Sequence, residues 1–456
     1  MTRVCIINVV GLTPRLLAHA PRIASVGTAS AWQSPLPAVT CTSQATMLTG
    51  MAPRDHGIVG NGWYFRDTQE VRFWQQANSL IQGPKFYDGV ETAKMFWWFN
   101  QSSGVQYSAT PKPHYGCDGS KAFDILDHTG CELTKKLGPF PFFSFWGPGA
   151  GLPSSDWIAD ATAIVMRQKQ PQLTLAYLPH LDYDFQRLPH HDPARVAEVD
   201  AAAGRIIDAA DAIGARVVVV SEYGLVPVQR PVSINRVLRK AGWLGIRNGP
   251  FGEMLIPGES AAFAVADHQL AHVYVRDRSM IPDVQSALLA TPGIAQVVAP
   301  ETIGLDHPRS GELIALADSD AWFTYYYWLD EARAPDFART VDIHRKPGYD
   351  PCELFMTSKV RIAARLAQKK LGFRYKMDVI PLDANLVRGS HGIHPESPDD
   401  GPVIVGPPTT DSRDAESHTS TASDATNNSI SLPTDMQDFA AYVKSLLATE
   451  PPKGGN

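Results

Sequence analysis

Three short runs of almost unbroken aliphatic residues, Val4 to Val10, Leu173 to Leu178 and Val217 to Val220, constrain the fold of this chain more than any other feature. Strands that read this way are buried on both faces, the signature of a largely parallel sheet covered by helices. Between the second and third runs the sequence spells a helix. Asp192 is placed to cap it, Pro193 takes its first position, Val196, Val199, Ala203, Ile206, Ile207 and Ala210 recur at helical spacing, and Gly214 stops it. Strand, helix and strand in that order make a right-handed parallel crossover, so the expected fold is a doubly wound α/β/α sandwich. In such sheets chemistry gathers at the carboxyl ends of the strands. Asn8 lies near the end of the first run, Asp182 just beyond the second and Glu222 just beyond the third, so three polar groups are expected to converge.

With 456 residues, 44% hydrophobic and 19% charged, the chain can bury a large core, as one α/β domain with insertions or as two domains. A net charge of −6 and the absence of any block of five basic residues argue against a nucleic-acid partner. The five cysteines form no CxxC pair, which suits a reducing compartment. The first apolar run is too short for a signal segment, and nothing later approaches the ~18 apolar residues of a membrane span. The expectation is a cytoplasmic protein without a membrane partner.

The expected α/β domain covers residues 1–393. Residues 60–155 are rich in aromatics and lack strand–helix alternation, which reads as an insertion over the site. Residues 225–320 read as a second insertion with returning strands, Ala271 to Val275 and Glu312 to Ala317 being candidates. Ser, Thr, Asp, Pro and Asn dominate residues 394–431, as in a flexible linker. Within residues 432–449, Met436 to Leu447 reads as an amphipathic helix that docks back or meets a partner.

The run Pro37-Ala38-Val39-Thr40-Cys41-Thr42-Ser43-Gln44-Ala45-Thr46-Met47-Leu48-Thr49-Gly50, followed by His56-Gly57-Ile58-Val59-Gly60-Asn61, resembles the nucleophile segment of the nucleotide pyrophosphatase/phosphodiesterase branch of the alkaline phosphatase superfamily. The resemblance spans residues 1–65 and, with fewer matches, 170–225 and 378–405. It implies that Thr40 attacks phosphorus from a helix start and that Asn61 donates to a phosphate oxygen. It also implies two cation seats. The first falls on Asn8, Thr40, Glu222 and Tyr223, and the second on Asp182, Gln186 and His391. Thr40, Asp182 and His391 keep the family's residue types, Glu222 keeps only the charge, and Asn8, Gln186 and Tyr223 depart from it.

A threonine hydroxyl needs help to lose its proton, which a cation supplies by stabilising the alkoxide. Asn8 and Gln186 offer only neutral carbonyl oxygens, and a tyrosine ligates poorly unless ionised, at a pKa of about 10. Two carboxylates, Asp182 and Glu222, would then carry any divalent ion. Oxygen-rich seats suit Mg²⁺, Mn²⁺ or Ca²⁺ better than Zn²⁺. A single hard ion, a site rebuilt from other residues and a site without metal all stay open. His180, Asp184, His190, His191 and the pair Asp342 and His344 are the candidate replacements, although Asp342 can equally pair with Arg345 or Lys346.

Cys41 lacks an assignable histidine partner and reads as inert packing. His268 and His272 precede a strand pattern and read as structural. The run Trp322 to Trp328 is either strand core or the wall of a pocket. The resemblance thus implies a metal-assisted phosphoric ester hydrolase, or a phosphoryl or nucleotidyl transferase, acting on a nucleotide or similar phosphodiester. Asn8, Asn61 and Tyr223 would contact this small phosphate ester. Two other readings remain: a divergent site performing a non-hydrolytic transfer or condensation on a phosphorylated or nucleotide-linked metabolite, and a non-catalytic binding protein whose C-terminal helix recruits a partner.

Overall fold

The computed structural model of the protein describes residues 2–117, 121–188, 191–373, 375–407 and 431–448. Its centre is an eight-stranded sheet in the order Thr28–Ala31, Val403–Gly406, Ala215–Val220, Arg3–Val9, Leu173–Leu178, Thr92–Met95, Tyr107–Pro111 and Ile125–Asp127. The five strands from Ala215–Val220 to Tyr107–Pro111 run parallel, and antiparallel pairings finish both edges. All three aliphatic runs of the sequence lie side by side in the middle, with Arg3–Val9 between the other two. Their side chains are buried on both faces, as their composition requires.

The helix Pro193–Ala212 forms where expected, its N-terminus capped by the Asp192 carboxylate accepting from the Ala194 N–H. It packs beside Leu152–Lys169 over the sheet, while Thr40–Thr49 and Phe439–Ala448 contact one another elsewhere on the fold. The fold is the doubly wound α/β/α sandwich.

Four expectations need correction. Residues 60–155 are only partly an insertion, because Thr92–Met95, Tyr107–Pro111 and Ile125–Asp127 are strands of the central sheet. Their pattern is masked by polar interior residues. Lys94 is fully buried, its ammonium donates to the Phe99 carbonyl, and burial pushes its pKa down to about 7. Within residues 225–320, Leu270–Val275 and Leu313–Ala317 do not return to the main sheet. They build a separate antiparallel sheet with Ala262–Asp267 and Ile294–Val298, around its own apolar cluster. The stretch read as linker contains the sheet strand Val403–Gly406, too short to register against its polar neighbours; residues 408–430 lie outside the described residues. The C-terminal helix does not offer its apolar face to a partner. Phe439, Tyr442, Val443 and Leu446 are buried in the main core, and Phe439 stands edge-on to Trp32.

The aromatic run Trp322 to Trp328 resolves as core, grouped with Phe337, Val379 and Ile380.

Candidate active site

The helix Thr40–Thr49 begins directly at Thr40, after an extended Val39, with no side-chain cap. Its first free backbone donors are therefore available to a partner from elsewhere. Asn61 supplies one, its Oδ1 accepting from the Cys41 N–H at 3.0 Å. Asp267 in turn fixes Asn61: its Oδ2 accepts from the Asn61 backbone N–H at 2.8 Å and its Oδ1 from the Asn61 amide at 3.1 Å. One Asn61 amide hydrogen is thereby committed to a carboxylate, not to a phosphate oxygen. Burial raises the Asp267 pKa to about 6, against the opposing pull of these hydrogen bonds.

The Thr40 hydroxyl lies 3.0 Å from the Tyr223 phenol oxygen. That phenol also donates to Asp182 Oδ1 at 3.4 Å. Burial, with Asp182 and Glu222 nearby, drives the Tyr223 pKa far above its usual 10, so the group stays protonated. Tyr223 thus serves as a donor to Asp182.

Parallel register explains the convergence of carboxylates. Asn8 sits level with Tyr177 on one side and Val220 on the other, so the residues that follow those strands turn toward it. Glu222 Oε1 accepts from Asn8 Nδ2 and from Gln44 Nε2, both at 2.6 Å. Burial nevertheless dominates and lifts the Glu222 pKa to about 8. Gly224 follows because any Cβ there would strike the Asp400 carbonyl at 1.9 Å.

On the opposite side, Gln186 donates to Asp182 Oδ2 at 2.7 Å while its own carbonyl accepts from Tyr349 OH at 2.9 Å. Gln186 thereby orients Asp182 from the Tyr349 side. His391 lies with its Nε2 3.5 Å from Asp182 Oδ1, its Nδ1–H donating to the Ala38 carbonyl at 2.7 Å. The turn that presents it needs Gly392, whose φ of +122° is disfavoured for other residues.

Asn8, Thr40, Asp182, Gln186, Glu222, Tyr223 and His391 all come together, with Asn61 at the helix start. Sequence reasoning missed Gln44, Asp267, His268 and Tyr349. His268 had been read as merely structural, yet its ring is 3.6 Å from that of His391 and 3.8 Å from that of Tyr349; Tyr223 stacks on the far side of His391 at 3.6 Å. Its backbone φ of +61° at a strand-to-strand turn was the only local signal, invisible in sequence. His272 is structural, placed between the Val59 carbonyl and the Gly311 N–H.

None of the described replacement ligands joins the site. His180 bonds to Ser155, Asp184 pairs with Arg187 and Arg195, and His191 bonds to the Leu225 carbonyl. Asp342 pairs with Lys121 and Arg345, and His344 bonds to the Phe73 carbonyl. His190 is outside the described residues. Cys41 is buried and its thiol pKa raised, in keeping with inert packing.

The donor set does not fit a two-zinc centre. Among the described residues no three His, Cys, Asp or Glu side chains form a metal-holding group. Three buried acceptors, Asn8 Oδ1, Glu222 Oε2 and His391 Nε2, nevertheless have no hydrogen-bond donor among the described residues. These unpartnered atoms belong to one connected set of side chains, and a single divalent cation held by them would displace the Glu222 proton.

An α/β/α sandwich with polar side chains gathered at adjacent strand ends puts the candidate site where open α/β sheets bind their ligands. Residues 4–350 match the model of the type I phosphodiesterase / nucleotide pyrophosphatase family, and the chain belongs to that family. Among solved structures, phosphonoacetate hydrolase from Sinorhizobium meliloti 1021 in complex with phosphonoacetate is similar at TM-score 0.58 and 15% identity, over 98% of this chain and 96% of that one. Inactive murine ectonucleotide pyrophosphatase / phosphodiesterase 5 in complex with AMP is similar at TM-score 0.55 and 13% identity, over 100% and 98%. The human counterpart gives TM-score 0.56 and 14% identity, over 100% and 97%. These likenesses concern the fold. No curated protein sequence matches the chain. No helix of the described residues is long and apolar enough to cross a membrane.

Proposed function

We propose that the chain is a hydrolase, or a phosphoryl transferase, of a nucleotide or similar small phosphodiester, with Thr40 as nucleophile. The observation that carries this reading is the Thr40 hydroxyl at a helix start, 3.0 Å from a phenol that itself donates to Asp182. The ligands of the structural neighbours, AMP and phosphonoacetate, support a small phosphorus anion as the substrate class.

As Thr40 Oγ forms its bond to phosphorus, the bond to the leaving oxygen breaks. The threonine proton passes to the Tyr223 oxygen while the phenol's own proton moves to Asp182, so Tyr223 stays neutral throughout. The backbone N–H groups at the helix start stabilise the phosphoryl oxygens, held in place by Asn61 and Asp267. Water then releases the phosphothreonine, or another acceptor takes the group. Asn8, Glu222 and His391, with Asp182, would hold a divalent cation, which lowers the hydroxyl pKa and offsets developing charge.

A nitrophenyl phosphodiester assay with intact-mass analysis tests the proposal. Wild-type turnover, lost in Thr40→Ala, with a transient adduct on residue 40, is the expected result. Full activity in Thr40→Ala would remove the nucleophile assignment. A tightly held phosphate ester without turnover would favour the binding-protein reading.

A further inference from the structure

The helix Lys359–Lys370 turns its apolar face away from the protein. None of its residues is buried; Ile362 alone packs toward the core, on the side where Arg361 and Arg365 are tied to Asp378. At 100° per residue the opposite side gathers Val360, Ala363, Ala364, Ala367 and Leu371. Val360 is 79% exposed, Leu371 72%, and Phe373, just past the helix, 64%. A face this apolar is unusual against water, where scattered single hydrophobics are the norm.

Charge is segregated onto the same segment. Residues 356–378 hold seven Lys or Arg and one acid, a net +6 in a chain whose total is −6, so the rest carries −12. Lys359 and Lys370 border the apolar strip, and Lys369 lies over the Tyr375 ring. Among the described residues Lys359, Lys369, Lys370 and Lys376 take no ion-pair partner, whereas Arg361 and Arg365 share Asp378.

We infer that this helix is an interfacial anchor that lays its apolar strip into an anionic lipid surface. The argument is complementarity: lysines beside an outward strip of Val, Ala, Leu and Phe match a layer with anionic headgroups above hydrocarbon. A second copy of the chain would bring +6 against +6. A nucleic acid would meet the lysines but leave the apolar strip in water. The expected absence of a membrane partner rested on the lack of a spanning helix, and a helix lying in the interface needs no span.

The test is flotation of the full chain with vesicles of phosphatidylcholine alone and of phosphatidylcholine with 30% phosphatidylglycerol. Binding to the anionic vesicles only, weakened by added salt, is expected. Lys359→Ser with Lys370→Ser should lower partitioning on the order of 30-fold, about fivefold per lysine. Val360→Ser with Leu371→Ser should abolish it. Because these side chains are exposed, circular dichroism and phosphodiester turnover should not change, which separates this inference from the assignment of Thr40. Binding indifferent to lipid charge or to the substitutions overturns it. So does a concentration-dependent dimer lost in Val360→Ser with Leu371→Ser, which would make the face a contact between copies. Capture of a nucleic acid or acidic protein with no vesicle binding overturns it as well.

Discussion

Tyr223 replaces an imidazole expected from the family resemblance, and the replacement changes what Thr40 meets: a protonated phenol that bridges it to Asp182. Tyr223→Phe removes that bridge, so kcat in the phosphodiester assay should fall about a hundredfold or more with KM little altered. Asp267→Ala leaves Asn61 without the acceptor of its backbone and side-chain N–H groups. A loss of about 1–3 kcal/mol is expected in urea unfolding, with reduced turnover as Asn61 shifts. His272 sets a pH dependence. Its folded pKa is lowered to about 4, chiefly by burial, against an unperturbed value of about 6.5. Between those values the unfolded state binds the extra proton, so this stability is present above pH 6.5 and is lost as pH falls toward 4. One such histidine accounts for up to about 3 kcal/mol. Urea midpoints should drop across that window, and less steeply in His272→Gln. Thr40, Asp182, Glu222 and His391 were legible through the family resemblance, which implies those positions. Gln44 and Asp267 were not, since what marks them is a hydrogen bond across the fold.

At the scale of elements, aliphatic runs and helix caps survived translation into structure where one pattern filled the whole element. Leu173–Leu178 and Pro193–Ala212 are such cases. Thr92–Met95 escaped because its buried lysine and threonine interrupt the period on which a strand reading depends. Val403–Gly406 escaped because four residues cannot outweigh a polar neighbourhood. The C-terminal helix illustrates a pattern read correctly and its destination left open: amphipathicity announces a face, never what covers it. Here the cover is the protein itself. Phe439→Ala should therefore cost about 3–5 kcal/mol in chemical denaturation, the range for a buried aromatic, instead of affecting any oligomer.

For the whole molecule, the unpartnered Asn8, Glu222 and His391 atoms at the centre lead to a stoichiometry. Elemental analysis of purified protein should find about one divalent cation per chain, magnesium or manganese before zinc, and chelation should reduce turnover. A second whole-molecule feature is the buried triad in which Lys346 contacts Asp350 at 2.7 Å and Glu353 at 2.6 Å, with Trp146 donating to Glu353. Lys346→Met would strand two buried carboxylates, a loss of about 3–5 kcal/mol readable in the thermal midpoint. What the sequence determined alone is the parallel sheet core, its crossover helix and the line of polar residues at the strand ends, because these follow from local periodicity and chain connectivity. The tertiary structure decided which donors those polar residues meet, that Gln186 and Tyr223 both donate to Asp182, and that a basic apolar helix faces outward. Those outcomes depend on groups from separate elements arriving at bonding distance, as Thr40 and Tyr223 do across 183 residues, and no local pattern encodes that meeting.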